Sequence, residues 1–367
     1  MPHIGSREVA VVAFAQSPHV RRLEHRNEVE LVMPVLHEVK AALGIEQSDI
    51  DFTCSGSTDY LAGSAFSFVQ ALDGVGAWPP IAESHVEADG AWALYEAWVK
   101  IQTGEADTAL VYGYGKSSPG SLRDVLSRQL DPYHQAPLWP DSVALAALQA
   151  RACLDAGVTT VEEMAAIAVR SRRAAASNPC AQLQGSDDVD LLLKEPEVAA
   201  PLRRHDCPPI TDGAAAIVLA AGDRARELTG RPAWIDAIDH RIDAHSIGVR
   251  DLTVSESTRL AGERAGVGRG PVDVAELHAP FTHQEVILRR ALGLGDDVDV
   301  NPSGGALAAN PMMAAGLVRI GEAARRVMAG EAARAVAHAT SGPCLQQNLV
   351  CVLTGETGSN GGNGGAS

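Results

Sequence analysis

The chain opens on an unbroken apolar run, Val9-Ala10-Val11-Val12-Ala13-Phe14, which reads as a buried strand. From residue 27 to 43 the positions Val29, Val32, Leu36, Val39 and Leu43 fall on one helical face. Residues 52–55 read as a short strand ending in Gly/Ser turn chemistry. A strong helix is predicted over 91–101; Gly104 stops it, and 108–113 is a buried strand. Residues 116–202 break this rhythm with Pro and Gly, a long helix at 142–156 and the basic run Arg170-Ser171-Arg172-Arg173. They read as an inserted loop domain. A strand at 214–220 returns to the core. The second half gives a strand at 233–238, a helix at 255–265, a strand ending at Glu276-Leu277, a helix at 311–328, and strands at 335–338 and 349–353. In each half a helix is followed by Gly-Glu-Ala (Gly104-Glu105-Ala106, Gly330-Glu331-Ala332) and then a buried strand. Repeated units of this kind predict stacked α/β layers with duplicated topology. The predicted boundaries are 1–115 with 203–230 for the first half, 116–202 for the loop domain and 231–355 for the second half. The Gly/Ser/Asn-rich residues 356–367 are expected to form a disordered tail.

Composition narrows this picture. With 367 residues, the chain is one large domain or two closely packed ones. Aromatics are 4% of the sequence, so the core must be built mostly from Ala, Val, Leu and Ile. A net charge of −16 disfavours nucleic acid and anionic membrane as partners, although a local basic patch could still meet a phosphorylated group. No apolar run is long enough to span a bilayer, and residues 1–8 lack a signal-peptide pattern, so a cytoplasmic location is expected. The six cysteines, Cys54, Cys153, Cys180, Cys207, Cys344 and Cys351, form no CxxC pair and no zinc-finger spacing; no metal site is predicted.

Several segments in order resemble the thiolase superfamily, specifically its sterol-carrier-protein-x or lipid-transfer-protein branch. They are Arg170 to Pro179; Pro201-Leu202 with Asp206-Cys207 and Thr211-Asp212-Gly213-Ala214-Ala215-Ala216; Glu276-Leu277-His278-Ala279-Pro280-Phe281-Thr282, where the branch has E-x-H-D-C-F-T; and Asn301-Pro302-Ser303-Gly304-Gly305, matching N-P-S-G-G. The resemblance implies an α/β thiolase fold: duplicated βαβαβαββ halves in a five-layered αβαβα arrangement with an inserted loop domain that binds coenzyme A.

The departures from that pattern concern the chemistry. A thiolase carries a nucleophilic Cys in a C-A-x-G setting, where helix N-terminal amides activate it. The matching run here is Glu87-Ala88-Asp89-Gly90, with Gly90 and Ala93-Leu94 setting the register, and a carboxylate cannot form an acyl-thioester. The G-H-P histidine becomes Asn310 in Ala309-Asn310-Pro311; Asn cannot take a proton near neutral pH. The acid/base Cys near the C-terminus aligns with Ser341, with Cys344 three residues on.

The candidate catalytic residues are therefore His278, Glu87, His85, Asn310, Ser341 and Cys344. His278 is either a core histidine satisfied by a carbonyl or a group that polarises a thioester or acts as a base. Glu87 is a helix-capping carboxylate shared with Asp89, a general base, or a plug in a dead pocket; His85 is close enough in sequence to pair with it. Asn310 is an N-cap before Pro311, an oxyanion donor, or both. Arg170, Arg172 and Arg173 form either a solvated helix face or, as the resemblance implies, a coenzyme A phosphate site, with Arg203-Arg204 as another. Ser303, Gly304 and Gly305 could meet a pantetheine chain. Trp92, Tyr95 and Trp98 read as core or dimer packing.

Within the resembling branch are thiolase-like aldolases that cleave β-hydroxyacyl-CoA by retro-aldol reaction in steroid side-chain degradation, with no covalent acyl-enzyme. They carry Tyr where this chain has His278 and near Asn310-Pro311. The resemblance implies a coenzyme A thioester as substrate with no permanently bound cofactor, homo- or heterodimerisation through the central sheets, and a small OB-fold/zinc-ribbon partner. The alternative is a non-catalytic subunit paired with an active paralogue. Residual Claisen activity through Cys344 is a third reading.

Overall fold

A computed structural model describes residues 7–185 and 188–355. The predicted disordered tail, 356–367, lies outside the described residues.

The first half runs β1 (Val9–Gln16), α1 (Glu28–Leu43), β2 (Phe52–Gly56), α2 (Ser67–Val75), β3 (Glu83–Val86), α3 (Gly90–Gln102), β4 (Thr108–Gly115) and, after the insertion, β5 (Gly213–Ala221). The insertion holds the helices α4 (Ser142–Asp155) and α5 (Val161–Ala174). The second half repeats the order: β6 (Ala233–Ile242), α6 (Glu256–Arg264), β7 (Val274–Leu277), α7 (Thr282–Leu292), β8 (Asp299–Val300), α8 (Ala315–Ala329), β9 (Arg334–Ser341) and β10 (Gln347–Thr354). In one half the strands lie β3-β2-β4-β5-β1, and in the other β8-β7-β9-β10-β6. Parallel and antiparallel pairings match at corresponding places. The halves join where β1 and β6 pair antiparallel through Ala10–Trp234 and Val11–Ala233.

Alternation along the strands sorts side chains to two faces. Val9, Val11, Cys54, Val111, Ile217 and Leu219 face a central layer built by α3 and α8, through Leu94, Ile101, Leu317 and Ile320. Ala10, Val12, Leu110 and Val218 face α1, and Leu277, Val336 and Val350 face the α6–α7 side. The result is five layers, helix, sheet, helix pair, sheet, helix. Each fully buried Leu or Ile contributes about 1.5–3 kcal/mol. Small residues let the central layer close: a Cβ on Gly90 would come within 2.9 Å of Leu317, and one on Gly316 within 2.5 Å of the Ala339 Cβ.

Two expectations need correction. Helix α8 starts at Ala315, not at Pro311, and Asn310 does not cap it. Asn310-Pro311 instead forms a two-residue parallel pairing with Ile210-Thr211. Among the described residues no helix is long and apolar enough to cross a membrane.

Candidate functional site

Two polar clusters flank one turn, Met312-Met313, that leads into α8. The first forms where β7 ends. His278 follows that strand and is held by its own amide on the His338 carbonyl at 3.1 Å. Its Nδ1 accepts from the Thr340 N–H on β9 at 3.3 Å, so the proton sits on Nε2, which donates to Asn310 Oδ1 at 3.0 Å. Burial, with a smaller push from the Arg319 charge, lowers the His278 pKa to about 4, against the opposing Asn310 bond. The imidazole is neutral at pH 7 and both its nitrogens are engaged. This corrects the base role considered for it: His278 acts here as a donor that fixes the Asn310 amide. Asn310 is buried, and among the described residues its Nδ2 donates to the Met312 sulfur at 3.9 Å, a weak acceptor that an oxygen would displace.

The second cluster lies at the end of β3. Ser55 on β2 sits 3.0 Å from His85 Nδ1, and Phe68 of α2 stacks on the imidazole at 4.2 Å between centroids. His85 Nε2 is 3.5 Å from Glu87 Oε2, and the Asp59 amide donates to Glu87 Oε1 at 3.3 Å. Glu87 is 60% exposed. It does not cap α3. That role belongs to Asp89, which accepts from the Ala91 N–H at 2.9 Å. The turn links both clusters. The Met313 carbonyl accepts from the Gly90 amide at 2.9 Å, and its sulfur accepts from Thr58 at 3.0 Å. Met313 itself lies in the left-handed region, with φ 69°.

The other candidates fall elsewhere. Ser341 ends β9 beside Thr340, next to the first cluster. Cys344 packs with Leu130 and Leu145 and its thiol meets the Leu145 carbonyl at 3.4 Å. Burial pushes its pKa up to about 11, so it is a protonated thiol and not a nucleophile. Ser303, Gly304 and Gly305 are buried. Their amides go to Glu276, Asn301 and the Ser303 hydroxyl, and the Ser303 hydroxyl also binds Glu276 at 2.8 Å, beside Arg319. Asn178 and Ser171 of the insertion bind the Ser303 and Gly304 carbonyls. This segment anchors the loop domain and leaves no amide for pantetheine. Arg170 is tied to buried Glu285; Arg172 is half-buried and Arg173 exposed. Trp92 is buried and Tyr95 and Trp98 pack against the central core, as expected.

Sequence reasoning missed Ser55 and Thr340. Neither carries a local signal, because each meets its histidine across neighbouring strands.

No protein-family model matches the chain. It is 30% identical over 278 residues to an acetyl-CoA acetyltransferase of Methanothermobacter thermautotrophicus, covering 66% of this chain and 70% of that protein. It is 26% identical over 388 residues to sterol carrier protein 2 of Gallus gallus, covering 91% and 70%. The solved Ltp2–ChsH2(DUF35) aldolase superposes with a TM-score of 0.78 at 20% identity, covering 95% and 98%. With its duplicated halves and paired central helices, the chain belongs to the thiolase superfamily.

Proposed function

We propose that the chain is an acyl-CoA carbon–carbon lyase that cleaves a β-hydroxyacyl-CoA, of the steroid side-chain class, to a ketone and a shortened acyl-CoA. The observation that carries this reading is the pairing of a carboxylate–imidazole couple, Glu87 with His85, with an amide donor, Asn310, around one turn where a thiolase would hold its nucleophile. The couple removes the β-hydroxyl proton. The hydroxyl electrons form the ketone, the Cα–Cβ bond breaks, and its pair passes to the α-carbon as a thioester enolate. Asn310 Nδ2, aimed by neutral His278, donates to the enolate oxygen. The couple then returns its proton to the α-carbon. The balance needs no thiol, oxidant or second substrate. Likeness to a solved aldolase supports the same class.

The test is mass spectrometry of products from a β-hydroxyacyl-CoA with a tertiary β-carbon. Release of a ketone, reduced about 10²–10⁴-fold in Glu87→Gln, is expected. Full cleavage by Glu87→Gln would reject the couple as base.

A second reading, a chain completed by a partner, is favoured by one observation. Glu87 directly follows β3, one of the two edge strands of the sheet, and Trp78, five residues before that strand, is 87% exposed. An OB-fold/zinc-ribbon partner or a second thiolase-like chain would cover this edge. Cleavage that appears only after such a protein is added would support it.

A further inference from the structure

Asp89 belongs to neither polar cluster, yet it is 2% exposed and accepts three backbone hydrogen bonds. The donors are the Ala91 N–H at 2.9 Å, Gly316 N–H at 2.9 Å and Leu317 N–H at 3.0 Å. Ala91 is in the first turn of α3, and Gly316 and Leu317 are in the first turn of α8. One side chain therefore closes the N-termini of both central helices, one from each half of the molecule. The arrangement is tight: a Cβ on Gly316 would lie 2.6 Å from Asp89 Oδ1. Helix N-terminal amides are the groups that stabilise an anion or lower a thiol pKa beside them. Residue 87 lies three positions before the first residue of α3 and two before its cap, where such help would arrive.

We propose that Asp89 is a specificity-determining residue that withholds both helix N-termini from any nucleophile at position 87, so that thiolate chemistry is barred by the wiring of the site and not only by the missing thiol. The carboxylate fills the donors, and its own charge repels a second anion two residues away. Arg319, the cation acting on it, is itself bound to Glu276 and Ser303. The proposal holds whether the chain is a lyase or a partner subunit.

The test places a thiol at the site in the full chain, as Glu87→Cys, alone and with Asp89→Asn. Alkylation by iodoacetamide, in which the thiolate displaces iodide, is followed at position 87 by peptide mass spectrometry, which separates it from half-exposed Cys180 and Cys207. At pH 7 the introduced thiol of Glu87→Cys should react no faster than the same thiol in an unstructured peptide. Adding Asp89→Asn removes the charge and puts an amide nitrogen where Oδ2 accepts from Gly316, while keeping an acceptor for Ala91 and Leu317. It should speed the reaction about ten-fold, the ratio given by a one-unit fall in thiol pKa. A fast-reacting thiol in the single variant, or no acceleration in the double variant, would overturn the proposal. If Asp89→Asn does not fold, the single variant against the peptide still decides. No acyl-CoA is used, so failure here is separable from failure of the lyase reading.

Discussion

At the scale of residues, the site is a set of substitutions whose new partners matter more than the losses. Replacing a histidine by Asn310 removes a base but provides an amide whose orientation His278 sets. Asn310→Ala should lower kcat about 10²–10³-fold, the cost of one oxyanion donor, while the Kd of a non-cleavable β-hydroxyacyl-CoA analogue stays near that of the wild type. Equal losses in both would assign Asn310 to ground-state binding. Cys344→Ser should leave turnover unchanged, because its buried, protonated thiol faces the loop domain. The roles of these residues were only partly legible in the sequence. His278 and Glu87 stand in family positions, but the pairing of His85 with Glu87 rested on proximity alone. The tautomer that removes His278 as a base depends on Thr340, 62 positions away.

Elements were more legible than contacts. The longer strands and most helices of the duplicated core carry their own apolar period, and Gly104 and Gly330 stop helices in both halves. The elements α2, β3, α7 and β8 went unpredicted: β3 is Glu83-Ser84-His85-Val86, half-buried throughout, and β8 is two residues long. The start of α8 escaped prediction for a physical reason. Its first amides are capped by Asp89, from a residue 227 positions away, so no local capping residue marks the boundary. The Met312-Met313 turn shows the same dependence on distant chain. It crosses the end of β4, where a Cβ on Gly115 would lie 2.0 Å from the Met312 carbonyl and one on Gly113 2.7 Å from the Met313 carbonyl. Gly115→Ala should therefore destabilise by about 1–3 kcal/mol or more, since backbone must move against backbone. Gly120→Ala, whose Cβ would have its nearest neighbour at 3.9 Å, should be close to neutral. Thermal melts of the two variants check this; equal Tm values would place the turn elsewhere.

At the scale of the whole molecule, burial sets the response to acid. His19, His283 and His338 have pKa values lowered to about 3, and His278 to about 4, in each case mainly by burial. Each binds a proton more readily when unfolded, with an ordinary value near 6.5. As pH falls from about 6.5 towards 4 the unfolded chain gains protons that the native one refuses, so stability drops, by up to about 1.4 kcal/mol per pH unit for each histidine. Asp89 and Glu276, and the partly buried Glu83 and Asp239, are pushed up by burial and oppose this in the acid range, while the partly buried His240 is lowered by burial and adds to the loss. Tm should be level near pH 7–8 and fall below pH 6; a Tm that rises on acidification to pH 5 would contradict the neutral burial of these histidines.

The most direct measurement offers the chain, alone and with an OB-fold partner, two substrates in parallel. One is a β-hydroxyacyl-CoA with a tertiary β-carbon; the other is a 3-ketoacyl-CoA with free coenzyme A. Mass spectrometry should find a ketone and a shortened acyl-CoA from the first and no thiolysis of the second. Thiolysis of the 3-ketoacyl-CoA would contradict a thiolase fold rebuilt for cleavage without a thiol.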